Sequence, residues 1–208
     1  MRRLAILCAL LPCTLAALER VSFTKVFPGS IPAFVRVTVD ATGAADYREE
    51  ADDDRPLRFT LPKADIDKVF ATAEKLDHFQ GPLESPAKVA NMGKKTLRYE
   101  KDGAGHETSF NYTENLDARE LADWFERASE TARARSLLER AAKYDKLGVN
   151  QALLYVQTCW EKKRLIAGAQ LLPLLDRIAK NDSFVNMARN RAATLAAQLR
   201  SEESQPTP

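Results

Sequence analysis

Few side chains in this sequence are equipped for chemistry. It has two histidines, His78 and His106. His78 sits about 120° round from Ile66 on a stretch of helical period, which puts it on the polar flank and makes it a solvent-facing histidine. His106 precedes Glu107 at the start of an alternating stretch. That is no metal spacing, since no His-Glu-x-x-His and no cysteine pair accompanies it. It could still assist a carboxylate in an acid–base dyad. Cys159 lies between Thr158 and Trp160 in an apolar helical stretch. A nucleophile needs a lowered pKa and a base, so packing in a core is the expectation for this thiol.

Other motifs are missing their essential parts. Asp52-Asp53-Asp54 lacks the alternating oxygens, glycine and closing glutamate of a calcium loop, and reads as a solvated loop. There is no Gly-x-Ser-x-Gly elbow and no phosphate-cradling glycine loop. With 29 acids in the chain, a carboxylate pair for glycoside hydrolysis can always be nominated, so nominating one is uninformative. The sequence therefore assigns no catalytic residue, no metal ligand and no cofactor.

Charge is distributed unevenly. Residues 143–200 hold ten bases and four acids, residues 17–142 carry a net −4, and Glu202 with Glu203 add −2. The basic segment centres on Lys162, Lys163 and Arg164, the candidate interaction residues. They would face an acidic partner protein or an anionic envelope surface. Screening within ~8 Å at physiological salt limits what such exposed charges achieve.

The first residues read as an address. Arg2 and Arg3 precede an uncharged run from Leu4 to Leu18 that ends in small residues around Ala16 and Ala17. This is the pattern of a secretory signal peptide over residues 1–16, too short for a membrane span of ~20 residues. Its removal leaves 29 bases and 29 acids, a neutral chain with no argument for nucleic-acid binding. Cys8 and Cys13 leave with it, and Cys159 alone permits no internal disulfide. Lipidation of Cys13 is a poor match, because Leu11-Pro12 precedes it.

The elements that must position these groups fall into two halves. Residues 17–115 show period two around Val21 and Phe23, again at Val35, Val37 and Val39, then at Ala45 to Glu50 and at Leu57, Phe59 and Leu61. Ile66, Val69, Phe70, Ala73 and Leu76 share one helical face that should run to Gly81-Pro82. A hairpin follows, with Leu97 and Tyr99 on one arm and Thr108, Phe110 and Tyr112 on the other. The expected fold is α+β, an antiparallel sheet with one covering helix followed by a small C-terminal helical bundle.

The run Gly29-Ser30-Ile31-Pro32-Ala33-Phe34-Val35-Arg36-Val37, with Asp40, Gly43 and Tyr47, resembles an uncharacterised family of exported bacterial α+β domains. Ile31 stands where that family has a cysteine before the proline. The resemblance covers about forty residues of generic hairpin chemistry. It implies export and an α+β fold, and no activity.

Residues 116–200 read as helices. Asp117 with Glu120 forms an acidic capping box, and Leu116 with Leu121 a hydrophobic staple. Leu121, Trp124, Phe125, Ala128 and Ala132 make one face, the pattern thins over Thr131 to Ser136, and Gly148 stops it. Three more helices are expected: Asn150 to Arg164, Leu171 to Lys180 with Pro173 in its first turn, and one capped by Asp182 or Ser183 with Phe184, Met187, Arg191 and Leu195 on one side. The last two are similar to a single HEAT-type pair, with no second copy. Residues 201–208 read as a disordered tail. Together these features point to an exported, soluble, non-catalytic interaction or scaffold module of the envelope or extracellular space. The alternative is a small carboxylate-dependent hydrolase with His106 as auxiliary.

Overall fold

Alternation of apolar and polar side chains puts one face of each strand against a core, and six strands pair accordingly in the computed structural model, which describes residues 18–203. The strands are β1 (Arg20–Val26), β2 (Phe34–Asp40), β3 (Ala44–Arg48), β4 (Leu57–Thr60), β5 (Lys94–Lys101) and β6 (Ala104–Phe110). All neighbours are antiparallel, in the order β4-β3-β2-β1-β5-β6. The register sets Val21 opposite Val39 and Tyr99, and Phe23 opposite Val37 and Leu97, so the inward rows are continuous. The turn into β3 is held by Asp40, whose Oδ1 accepts from the backbone N–H of Thr42 and Ala44. Gly43 there has φ +89°, and a Cβ on it would collide with Ile66 of the covering helix. Only glycine satisfies both conditions.

Two helices cover the inward face, where the sequence suggests one. Helix α1 (Lys63–Lys75) buries Ile66, Val69 and Ala73. It ends earlier than Gly81-Pro82 because Asp77, His78 and Phe79 take left-handed φ values of 49°, 50° and 64°. This turn swings Phe79 into the core, where it is 1% exposed. The second cover is the first half of α2 (Leu116–Tyr144). Phe125 stacks on Phe23 with centroids 5.5 Å apart, and Trp124 meets Phe125 edge-on at 5.0 Å. The Trp124 indole N–H donates to Asp65 of α1 at 3.2 Å.

Partway along, α2 changes partner. Leu121, Phe125, Ala128 and Ala132 belong to the sheet core, whereas Ala134 and Leu138 belong to a second core. Ala132 and Ala134 point about 200° apart at ~100° per residue, so two short stripes lie on nearly opposite sides of one helix. The second core adds α3 (Val149–Glu161), α4 (Leu172–Ala179) and α5 (Asn186–Glu203). Pro173 occupies the first turn of α4, as its missing N–H allows.

Several helix-end expectations are corrected. Asn115 caps α2, its Oδ1 accepting from the Ala118 N–H at 3.0 Å, so Asp117 lies inside the first turn and pairs with Lys75. Leu116 is 70% exposed and makes no staple. Helix α5 starts at Asn186, after Asp182 and Ser183, and buries Ala188, Ala192, Leu195, Ala196 and Leu199. Met187, expected inward, is exposed. Small residues at that seam let α4 and α5 approach closely, which matters more than bulk. Helix α5 also runs through Ser201–Glu203, into the stretch expected as tail. The proposed leader and the last five residues lie outside the described residues. No helix among the described residues is long and apolar enough to cross a membrane.

Candidate binding cleft between the two cores

The walls of one cleft come from both cores. Its apolar floor is Phe23 and Val35 of β1 and β2 together with Phe27, and the β1–β2 connection from Ser30 to Ala33 forms one rim. Helix α2 contributes Glu126, Ser129, Glu130 and Arg133, and α3 contributes Tyr155, Thr158 and Cys159. The cavity is about 490 Å³, within the usual size for small-molecule sites.

The candidate basic segment meets this cleft unevenly. Arg164 lines it and is paired: Nε and Nη2 each lie 2.9 Å from a carboxylate oxygen of Glu130, and Nη1 lies 2.6 Å from Asp123. These carboxylates raise its pKa above the ordinary arginine value, against the opposing effect of burial. The same segment is strapped to α2 by its backbone, since the Ile166 N–H donates to Thr131 Oγ1 at 2.9 Å. Lys163 sits over the Trp160 ring and pairs with Glu202 at 2.8 Å. Lys162 is exposed and lines the cleft.

Three groups that the sequence does not mark as functional define the interior. Arg133 is only 16% exposed; Glu49 lies 3.9 Å from its Nε, and its Nη1 is buried without a partner. Its guanidinium stands 6.0 Å from the centroid of Tyr155. Tyr47, of β3, donates its hydroxyl to Glu49 at 2.7 Å. Burial, then the bond to Glu49, raises the Tyr47 pKa far above that of a free phenol. Burial and the neighbouring Cys159 do the same to Tyr155, so both phenols stay neutral. One signal was available in the sequence. Lys25 sits at an inward parity position after Val21 and Phe23, which demands an acid on the covering helix, and Glu126 supplies it at 3.0 Å.

The remaining candidates lie as follows. Cys159 is buried and free, and burial followed by the charge of Glu130 raises its pKa, which holds the thiol protonated. That is the condition of a packed cysteine rather than an activated one. His78 is half-buried in the left-handed turn, its ring 4.2 Å from that of Tyr99, and so is not the solvent-facing helix residue expected. His106 is exposed on the edge strand β6, opposite Tyr99, away from the cleft lining. The dyad that a hydrolase would need, His106 at a cleft floor beside a carboxylate, is not assembled there. In the Asp52–Asp54 loop, Asp53 Oδ1 accepts from the Arg55 N–H and Asp54 pairs with Arg55. Among the described residues no group of three or more His, Cys, Asp or Glu side chains could hold a metal ion.

No protein-family model matches this chain, and no curated protein matches it either. The fold class is α+β, a six-stranded antiparallel sheet with C-terminal helices.

Proposed function

We propose that the protein is an exported, non-catalytic interaction module of the cell envelope or extracellular space, and that it engages its partner through the cleft between the sheet and helices α2 and α3. The observation that carries this reading is the cleft itself: an apolar floor, neutral phenols, a protonated thiol and a buried guanidinium. Such a lining supplies shape and fixed charges that are mostly paired with one another, and no activated nucleophile or base. Lys162 at the mouth gives the basic segment a place in the same surface, where it would meet an acidic group on the partner.

A photo-crosslinking side chain at Ile31, 88% exposed on the rim, tests the reading in the native host. One discrete adduct is expected, lost when Ala33→Trp fills the cleft and weakened by Lys162→Glu, with the melting temperature nearly unchanged in both. Adducts indifferent to both substitutions would remove the cleft from consideration. Terminal mass analysis of the host material should find a chain beginning near Ala17; an intact Met1 in the cytosol would refute export.

A further inference from the structure

We infer that the end of the second core away from Lys162 is a docking surface for an anionic lipid bilayer, with the α2–α3 and α4–α5 turns as its points of insertion. This is a second surface, and it does not depend on the cleft. Helices α3 and α5 run parallel. The Arg191 guanidinium of α5 donates to Asn150 in the first turn of α3, and Lys163, just past the end of α3, pairs with Glu202 at 2.8 Å near the end of α5. The turns that precede α3 and α5 therefore lie side by side. Each is anchored by one buried side chain, Val149 and Phe184 respectively. With those two in the core, Tyr144 (74% exposed), Leu147 (84%), Val185 (51%) and Met187 (62%) are left projecting into water.

Single apolar side chains at a surface are ordinary, but four from two adjacent turns mark a place of contact. The charges around them select the partner. Residues 140–147 hold three bases and one acid, and residues 180–189 two bases and one acid, a net +3. Asp145 accepts from the Gly148 N–H at 3.0 Å and Asp182 pairs with Arg189 at 2.7 Å, so both acids are engaged. Glu139, one residue earlier, is taken by Arg135. Lys143, Lys146 and Lys180 are exposed and make no ion pair among the described residues. Apolar tips beside lysines suit a bilayer with anionic headgroups. The tips enter the acyl boundary, the amphipathic Tyr144 ring sits at headgroup depth, and the lysine stems reach back to the phosphates. A protein partner needs one contiguous complementary face. These side chains stand on separate turns with most of their surface in water, and lipid accommodates each on its own.

The test is co-sedimentation of the full chain with vesicles of equal parts phosphatidylglycerol and phosphatidylcholine, against vesicles of phosphatidylcholine alone. Binding to the anionic vesicles is expected, about tenfold weaker or worse to the neutral ones, and reduced by salt. Lys146→Glu should weaken it about tenfold, and Lys162→Glu, about 20 Å away along α3, by less than about twofold. Leu147→Ser with Met187→Ser should weaken it about tenfold. Leu147→Trp should show a blue-shifted emission on the anionic vesicles alone. All these positions are exposed, so melting temperatures should stay nearly unchanged. Whatever residues 1–16 add is common to every variant, so the differences report the turns. No binding, equal binding to both vesicles, equal losses from Lys146→Glu and Lys162→Glu, indifference to the paired serine substitutions, or an unshifted Leu147→Trp emission would each overturn the inference. So would self-association in sedimentation velocity that Leu147→Ser removes, because the tips would then meet a second copy of the chain.

Discussion

Replacing Arg164 by alanine should destabilise the fold more than any other single charge removal in the basic segment. Three contacts go at once: two 2.9 Å bonds to Glu130 and one of 2.6 Å to Asp123. The arginine side chain is 24% exposed and Glu130 33%, whereas Asp123 is half exposed. Hydrogen bonds to charged groups contribute about 1.5–3 kcal/mol where they are shielded, and exposed pairs a fraction of 1 kcal/mol. The bidentate pair dominates, for a loss of about 2–3 kcal/mol. In a chain of this size that lowers the melting temperature by roughly 4–12 °C. Arg164→Lys should keep a point charge without the fork and lose about 1 kcal/mol. Calorimetric melting of both variants, with Glu130→Gln to close a double-mutant cycle, gives the coupling directly. A melting change below about 2 °C for Arg164→Ala, or no coupling to Glu130, would refute the view that Arg164 fastens the α3–α4 connection to α2. The contribution does not titrate at working pH, because the arginine pKa is raised rather than lowered. A combined reversal of Lys162, Lys163 and Arg164 would therefore confound lost binding with lost fold, which is why Lys162→Glu alone probes the surface.

Alkaline pH should destabilise the protein. Tyr47, Tyr155 and Cys159 have folded pKa values raised above their unfolded ones, so above pH ~9–10 the unfolded chain releases protons that the folded one retains, and stability falls as pH rises. Tyr99, Lys101 and Lys143 are raised as well and act in the same sense, whereas Lys95, lowered by burial, works in the opposite one. Urea unfolding midpoints at pH 8 and 10.5 check this, and a rise would contradict it. Thr131→Val keeps the shape but removes the acceptor for the buried Ile166 N–H, at a cost of about 1–3 kcal/mol. Urea unfolding should show that loss for valine and a smaller one for Thr131→Ser; an unchanged valine variant would mean that the bond does not join the segment to α2.

The sheet was legible because period two is a strong signal: Val35, Val37 and Val39 admit one face only, and the structure buries all three. Strand order was not, since β1 pairs with both β2 and β5 and the second pairing depends on a crossover that no local pattern encodes. The weak periodicity over Thr131 to Ser136 has a definite cause. A helix that faces one core with Ala128 and Ala132 and another with Ala134 and Leu138 carries two stripes that cancel when averaged. The inward face expected of the last helix holds at Phe184 and Leu195, both buried, but not at Met187, which is exposed while Ala188 beside it is buried, because alanine suits a close seam. The cleft itself was hidden. Its walls are drawn from β1, β2, β3, α2 and α3, and nothing in the sequence says that residue 133 will lie beside residues 47 and 155.

Arg133 and Arg164 show why charge density along a chain is a poor guide to a site. Both line the same cleft and both carry one permanent charge. Arg164 belongs to the most conspicuous basic run of the sequence, yet the fold neutralises it and uses it as a fastening. Arg133 stands between two alanines with nothing to mark it, and the fold buries it with a partner at 3.9 Å and an unpaired nitrogen. How each charge is paired is settled only in three dimensions. Arg133 lies on the stretch of α2 where the helix passes from one core to the other, with Glu49 3.9 Å away. A partner seated in the cleft would touch the sheet of one core and α3 of the other, and binding the folded state alone would stabilise both cores together.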